Sequence, residues 1–244
     1  MHRFFVMPPG EDGHIVVQGA DATHALRVLW LVEGDRFIAV IEGQGQYVAR
    51  ITGVGPSRVV AEIERPIQAA TEPRTDVWLF QCMPKADRMD AIIQRATELG
   101  AAAIVPVMSS RTVPRPDSEQ ARSRYARWRK IAVEASELSG RLRVPTVAGQ
   151  VSFAQALEMS RDFEIRLMPW EQEHARSLRE ALGGLRSPRV FLMIGPEGGF
   201  SEQEAREALH AGVLPVTLGP RMMRTENAGA VALAIILYEL GDMG

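Results

Sequence analysis

Two apolar runs restrict this chain to an open α/β architecture, because each ends in a loop rich in glycine or proline and then opens a helix. The first is Val190-Phe-Leu-Met-Ile-Gly-Pro-Glu-Gly-Gly199, which runs into Phe-Ser201-Glu-Gln-Glu204. The second ends at Leu218-Gly-Pro-Arg-Met-Met-Arg-Thr-Glu-Asn-Ala228. In open α/β sheets, ligands bind where such loops leave the carboxyl ends of strands. Ser201 and Glu204 have the spacing of a capping box, so the exit of the first loop is fixed. Gly195, Gly198 and Gly199 let backbone approach a ligand closely. The loop lacks the G-x-G-x-x-G spacing of a dinucleotide fingerprint, and no G-K-[ST] follows to make a P-loop. A lone loop of this kind would read as plain turn chemistry. The second loop, with Arg221, Arg224 and Glu226 at the mouth of an otherwise apolar helix, favours a ligand site.

The rest of the chain reads as two regions. Over residues 1–70 short strands dominate, with 35–41 and 46–52 flanking the turn Glu42-Gly-Gln-Gly45 and a third strand at 58–63. A short helix over 21–31 carries His24 and Arg27, and the pattern as a whole is that of a small β-barrel. Arg65-Pro66 to Glu72-Pro73 reads as a linker, and the second region, 74–244, alternates strand and helix. Strands are expected at 77–81, 104–107, 165–168, 190–194 and 215–218. Helices are expected at 87–99, 118–138, 171–182, 201–211 and 226–240. This alternation implies a parallel sheet with helices on both faces. The 87–99 helix should end on Gly100, and the 118–138 helix should turn Tyr125, Trp128, Ile131, Ala135 and Leu138 inward. Trp128 is thereby expected in the core, not on a base-stacking surface.

Composition excludes some classes. No apolar run approaches a membrane span, and the start lacks the layout of a signal peptide. A single cysteine, Cys82, allows no internal disulfide, which suits a reducing cytoplasm and reads as a buried thiol. The five histidines have no metal-ligand spacing, so no metal is expected. The net charge of −2 does not announce a nucleic-acid binder. Between Arg111 and Arg143, however, nine cations face four acids, a local +5 that suits either a solvated helix face or RNA.

Seven ordered motifs carry a resemblance over nearly the whole length. They begin with Met1-His-Arg-Phe-Phe-Val6, His24-Ala-Leu-Arg-Val-Leu29 and Lys85-Ala-Asp-Arg-Met-Asp90 with Glu98-Leu-Gly100. Ser110-Arg111, Glu134-Ala-Ser-Glu-Leu-Ser-Gly-Arg141 with Val144-Pro145, and the two loops follow. The chain resembles the 16S ribosomal RNA (uracil-N3)-methyltransferases, members of the knotted SPOUT superfamily that use S-adenosylmethionine. The resemblance implies a PUA-like RNA-binding barrel at 1–70 and a trefoil-knotted methyltransferase domain at 74–244. It further implies a homodimer through the last helix, acting on 16S ribosomal RNA within the small ribosomal subunit. On the matching positions, Arg224 and Glu226 are the expected catalytic pair. Ile194, Gly195, Pro196, Gly198, Leu218, Gly219, Met223, Thr225 and Asn227 are expected at the cofactor. Arg3, His24, Arg27, Lys85, Arg111 and Arg141 are expected on RNA. Two positions depart from the family pattern, Asn227 where Thr is usual and Leu138 where Gln is usual. The first leans toward ribose 2′-O-methyltransferases of the same superfamily, which leaves a ribose hydroxyl, or binding without catalysis, as alternatives.

An arginine is always charged and should therefore stabilise a uracil anion, while the Glu226 carboxylate, or a water it holds, suits the role of proton acceptor.

Overall fold

The computed structural model describes residues 1–68, 70–112, 118–183 and 189–243. Two residues of the cationic run, Arg115 and Asp117, lie outside them. The chain divides into two compact units, residues 1–72 with 136–143, and residues 73–135 with 144–244. The first unit thus also takes in 136–143, a segment expected within the second region.

The first unit is a five-stranded sheet in the order β1-β3-β4-β5-β2. Its strands are β1 (Arg3–Phe5), β2 (His14–Gln18), β3 (Arg36–Ile41), β4 (Gly45–Gly55) and β5 (Arg58–Ile67). Helix α1 (Gly19–Arg27) follows β2. Phe4, Ile15, Phe37, Ile51, Val59 and the small Ala22, Ala39 and Ala61 form its core. Arg65 and Pro66, expected in a linker, instead pair with Val48 and Tyr47, because a register shift lets β5 follow the long β4 hairpin to its end. Helix α1 stops at Arg27, short of the expected Leu31, and Trp30 lies just beyond it with φ 55°.

Glu72 is the anchor of the returning segment. Its carboxylate accepts from Arg141 Nη2 at 2.7 Å, the Leu142 amide at 2.8 Å and Arg143 Nε at 2.9 Å. Arg141 is only 2% exposed. That burial, with its charge already paired, rules it out as the RNA-phosphate contact expected of it.

The second unit is a seven-stranded sheet in which every pair is parallel. Its strands are β6 (Asp76–Cys82), β7 (Ala103–Met108), β8 (Thr146–Val147), β9 (Val151–Ser152), β10 (Ile165–Pro169), β11 (Arg189–Ile194) and β12 (Leu214–Val216). The path runs β12-β10-β11-β6-β7-β8, with β9 also on β7. Successive side chains point to opposite faces, which divides β6 between two cores. Val77 and Leu79 pack with α2 (Arg88–Leu99), α5 (Leu178–Leu182) and α7 (Thr225–Glu239), while Phe80 and Cys82 pack with α4 (Phe153–Met159) and α6 (Glu202–His210). Gly100 caps α2 in the left-handed conformation, where a Cβ would lie 2.6 Å from Pro73.

Two helices differ from expectation. The stretch at 171–182 is helical only over α5, because Ser177 and Glu180 form a capping box that starts the helix late. In α3 (Ser118–Ser139), Trp128, Ala132 and Ala135 are buried, but Tyr125 is 37% and Leu138 84% exposed. The buried stripe runs through 128, 132, 135 and 136, and the helical step carries Leu138 past its edge. Residues 121–127 are exposed throughout.

Candidate functional site

The strand order reverses around β11 and β6, and the loops leaving β11 and β12 enclose a cleft at their carboxyl ends, as expected for an α/β switch point. Its volume is about 720 Å³. One wall is Ile194, Gly195, Pro196, Gly198 and Gly199, and the other is Leu218, Gly219, Met223, Arg224 and Thr225. The glycines have separate reasons. At Gly195 a Cβ would press on the Phe200 ring at 3.1 Å, and at Gly199, with φ 65°, it would lie 2.2 Å from the Glu171 carboxylate. At Gly219, with φ 101°, no atom lies within 4 Å of a would-be Cβ, so bare backbone faces open space.

The two walls are joined by a buried relay. Gln81, wholly buried at the end of β6, donates from Nε2 to Thr225 Oγ1 at 2.9 Å and to the Cys82 carbonyl at 3.0 Å. Thr225 Oγ1 in turn donates to the Gly195 carbonyl at 2.6 Å. Burial raises the Cys82 thiol pKa well above its ordinary value, consistent with a packing residue. A second tie comes from Glu197, whose carboxylate accepts from the Lys85 amide at 2.9 Å and from Arg88 at 2.8 Å. A third comes from Arg111, which donates to the Gly198 carbonyl. Glu204 completes the set, because it closes the α6 capping box while accepting from the Ser110 amide at 2.7 Å.

Arg224 stands at the N-cap of α7 on the cleft wall with its side chain 79% exposed. Glu226 does not line the cleft. Its carboxylate is 16% exposed and sits 3.8 Å from Arg88 and 4.0 Å from Arg224. Asn227, expected at the cofactor, is turned away: its Oδ1 accepts from Arg95 of α2 at 2.9 Å. One residue is the reason, since the 100° step along α7 carries position 227 off the face that Thr225 and Ala228 present to the cleft.

Of the residues expected on RNA, His24, Arg27, Lys85 and Arg111 are exposed. Arg3 is half-buried, its Nη1 held by Gln46 Oε1 at 2.6 Å, and burial lowers its pKa despite the Glu137 carboxylate. Sequence reasoning missed Gln81, Arg88 and Glu197. Glu197 stands in the recognised loop, where a single acid between glycines was the available signal. Gln81 had only its polarity at the end of an apolar strand. Among the described residues no cluster of His, Cys, Asp or Glu could hold a metal, and no helix is long and apolar enough to cross a membrane.

Fold and cleft together define an α/β protein with a ligand-sized cleft between two loops at a strand switch. Residues 71–237 match the model of the RNA methyltransferase domain family. A ribosomal RNA small subunit methyltransferase E from Bacillus subtilis is 30% identical over 228 residues, 91% of this chain and 89% of that protein. Its counterpart from Synechocystis is 31% identical over 92% of this chain and 73% of that protein. Among solved structures, a ribosomal RNA small subunit methyltransferase E from Neisseria gonorrhoeae bound to S-adenosyl methionine superposes with a TM-score of 0.83 at 32% identity, covering 97% of this chain and 96% of that one. A methyltransferase from Legionella pneumophila in complex with the same cofactor gives a TM-score of 0.87 at 27% identity, covering 98% of each chain. The chain belongs to the RNA methyltransferase family, in its ribosomal RNA small subunit methyltransferase E branch.

Proposed function

We propose that this protein transfers a methyl group from S-adenosylmethionine to N3 of a uridine in 16S ribosomal RNA. The observation that carries the reading is the cleft itself, walled by the two loops, locked by the Gln81–Thr225–Gly195 relay and fronted by Arg224. The residues present fit the cofactor. The cleft volume lies within the roughly 300–1,000 Å³ of ligand pockets, its walls offer Ile194, Leu218 and Met223 to an adenine face, and the loops offer backbone to its edges. When bound, the cofactor supplies an electrophilic methyl on a sulfonium.

The protein's part is to align the acceptor and to stabilise its anion. Uracil N3 is a poor nucleophile until its proton leaves to solvent water at the open front of the cleft, after which negative charge spreads to O2 and O4. Arg224, exposed at the cleft and permanently charged, is placed to hold that charge. Glu226 lies behind it and touches no cleft space, so we assign it as the positioning residue for Arg224.

The expected SPOUT knot accommodates both loops, and the PUA-like reading of residues 1–70 would add RNA contacts through His24 and Arg27. Domain limits of 1–70 and 74–244 remain part of this proposal, as do the small ribosomal subunit as substrate and the cytoplasm as its place of work. A homodimer is supported by α7. That helix buries Ala232, Leu233, Ile236 and Leu237 in its own unit yet leaves Tyr238 64% exposed and Val231 and Ile235 half-covered.

The test offers labelled S-adenosylmethionine and small ribosomal subunits from cells lacking the gene, with nucleoside mass spectrometry as readout. The expected product is 3-methyluridine, with the rate reduced about 10²-fold or more by Arg224→Ala. A 2′-O-methyl nucleoside, or no transfer, would overturn the assignment.

A further inference from the structure

The pocket between α3 and the turn joining β8 to β9 shares no residue with the cofactor cleft. It has a volume of about 240 Å³, with Trp128 and Ala148 among its apolar lining, and it is also lined by Tyr125, Arg122, Arg124 and Gln150. We propose that this pocket is a second RNA subsite, which takes an unpaired base of the substrate strand while the two arginines hold its phosphates. The inference rests on the RNA methyltransferase reading and deepens it.

Charge argues for a polyanion. From Glu119 to Ala135 five cations stand against two carboxylates, a local +3. Three of the five are engaged: Arg127 pairs with Asp90, Lys130 with Glu134 at 3.6 Å, and Arg129 lies 6.0 Å from the Tyr125 ring centroid. Arg122 and Arg124 have no carboxylate partner among the described residues, and both line the pocket. Phosphate contacts of this kind set register on a strand.

Shape argues for a base. A nucleobase has a flat apolar face and a polar edge. Tyr125, 37% exposed, offers a ring for stacking, and the Gln150 amide can both donate to and accept from an edge. Trp128, 7% exposed, can serve only as floor, in line with its expected place in the core. The turn that lines the pocket leads into β9, which pairs with β7. Ser152 of β9 pairs with Met108 of β7, and three residues further on Arg111 bonds to the Gly198 carbonyl. A single strand lying along that edge could reach both sites.

The experiment measures binding of single-stranded oligouridylate across a salt series, and methyl transfer to small ribosomal subunits. Arg122→Ala with Arg124→Ala should reduce the slope of log affinity against log salt by about 1.4, two contacts at roughly 0.7 each on a single strand. Tyr125→Ala should weaken binding roughly fivefold or more with the slope unchanged, and Tyr125→Phe should restore it. The double variant and Tyr125→Ala should raise KM for subunits while leaving kcat and S-adenosylmethionine affinity as in the wild type, and Tyr125→Phe should keep the wild-type KM. A wild-type slope in the double variant with wild-type affinity in Tyr125→Ala, and wild-type KM in both, would overturn the subsite even if methyl transfer stands, as would a changed oligomeric state in place of a changed slope. Absence of methyl transfer by the wild type would sink the reading of function, with the subsite then judged on the salt slope alone. No oligouridylate binding by the wild type overturns the subsite.

Discussion

Thr225→Val isolates the relay that joins the two cleft walls. The exchange keeps the side-chain shape and removes one hydroxyl, which accepts from Gln81 at 2.9 Å and donates to the Gly195 carbonyl at 2.6 Å. Two groups lose a partner. The Gln81 amide keeps only the Cys82 carbonyl at 3.0 Å, and water cannot compensate at a side chain that is 0% exposed. Leaving a buried polar group unpaired costs about 1–3 kcal/mol, so the pair together should cost about 3 kcal/mol, the half-buried Gly195 being the lesser part. For a chain of this size that corresponds to a fall in Tm of roughly 6–12 °C by differential scanning calorimetry. S-adenosylmethionine affinity by isothermal titration should fall as well, because the walls are no longer held at one spacing. Thr225→Ser, which keeps the hydroxyl, should retain most of both. Combining Thr225→Val with Gln81→Leu should cost less than the sum of the single changes, since the second removes the orphan left by the first. Wild-type Tm and cofactor affinity in Thr225→Val, or strict additivity in the double variant, would refute the relay.

Two further outcomes are expected away from the cleft. Trp30→Gly should raise stability by about 1 kcal/mol in chemical denaturation, because a left-handed residue with a side chain costs roughly 1–2 kcal/mol and this one, 77% exposed, buries little in return; a loss would mean that the indole packs more than its exposure implies. Stability should also fall in acid through Glu72. Burial pushes its carboxyl up, but the hydrogen bonds and charges of Arg141, the Leu142 amide and Arg143 outweigh that and hold it below the ordinary 4.5. A depressed carboxyl contributes above the unfolded pKa and loses its contribution as pH falls below it, so Glu72→Gln should flatten the stability curve below about pH 4.5.

What was legible in the sequence was local. The Ser201–Glu204 box, Gly100 as a left-handed cap and the apolar runs of β6 and β11 each signal within a few residues. Ser152 and Gln155 form a box of the same kind at the start of α4, an equally readable signal that went unread, and β1 and β2 were too short to stand out. The helix expected over 171–182 begins too early, because Glu171-Gln-Glu-His-Ala-Arg176 has the residue types of a helix but no cap, and the Ser177–Glu180 box sets the start. What could not be read joins residues far apart in the chain. Gln81 meets Thr225 across 144 positions and Glu72 meets Arg141 across 69, and neither residue carries a mark of its partner. Arg141 shows the consequence: a cation within a family motif looks the same in sequence whether it faces phosphate or a buried carboxylate.

Asn227 poses the remaining chemical question, base or ribose, and its surroundings give an answer that can be tested. Thr is usual at this position in the family that the sequence resembles, and Asn leans toward ribose methylation. If residue 227 chose the acceptor atom, it would have to face the cleft, yet its Oδ1 is bound to Arg95 at 2.9 Å, and the same Arg95 Nη1 also donates to the Glu226 carbonyl at 3.0 Å. Asn227 therefore acts as a clamp between α2 and the first turn of α7. Asn227→Thr should lose one charge-assisted bond on an exposed surface, a stability cost of about 1 kcal/mol or less. The nucleoside formed should not change. Because Arg95 retains the backbone carbonyl of Glu226, the position of Arg224 one turn earlier should hold, and kcat with it. A switch from a base-methylated to a ribose-methylated product, or the reverse, on this one substitution would show that residue 227 reaches the acceptor after all.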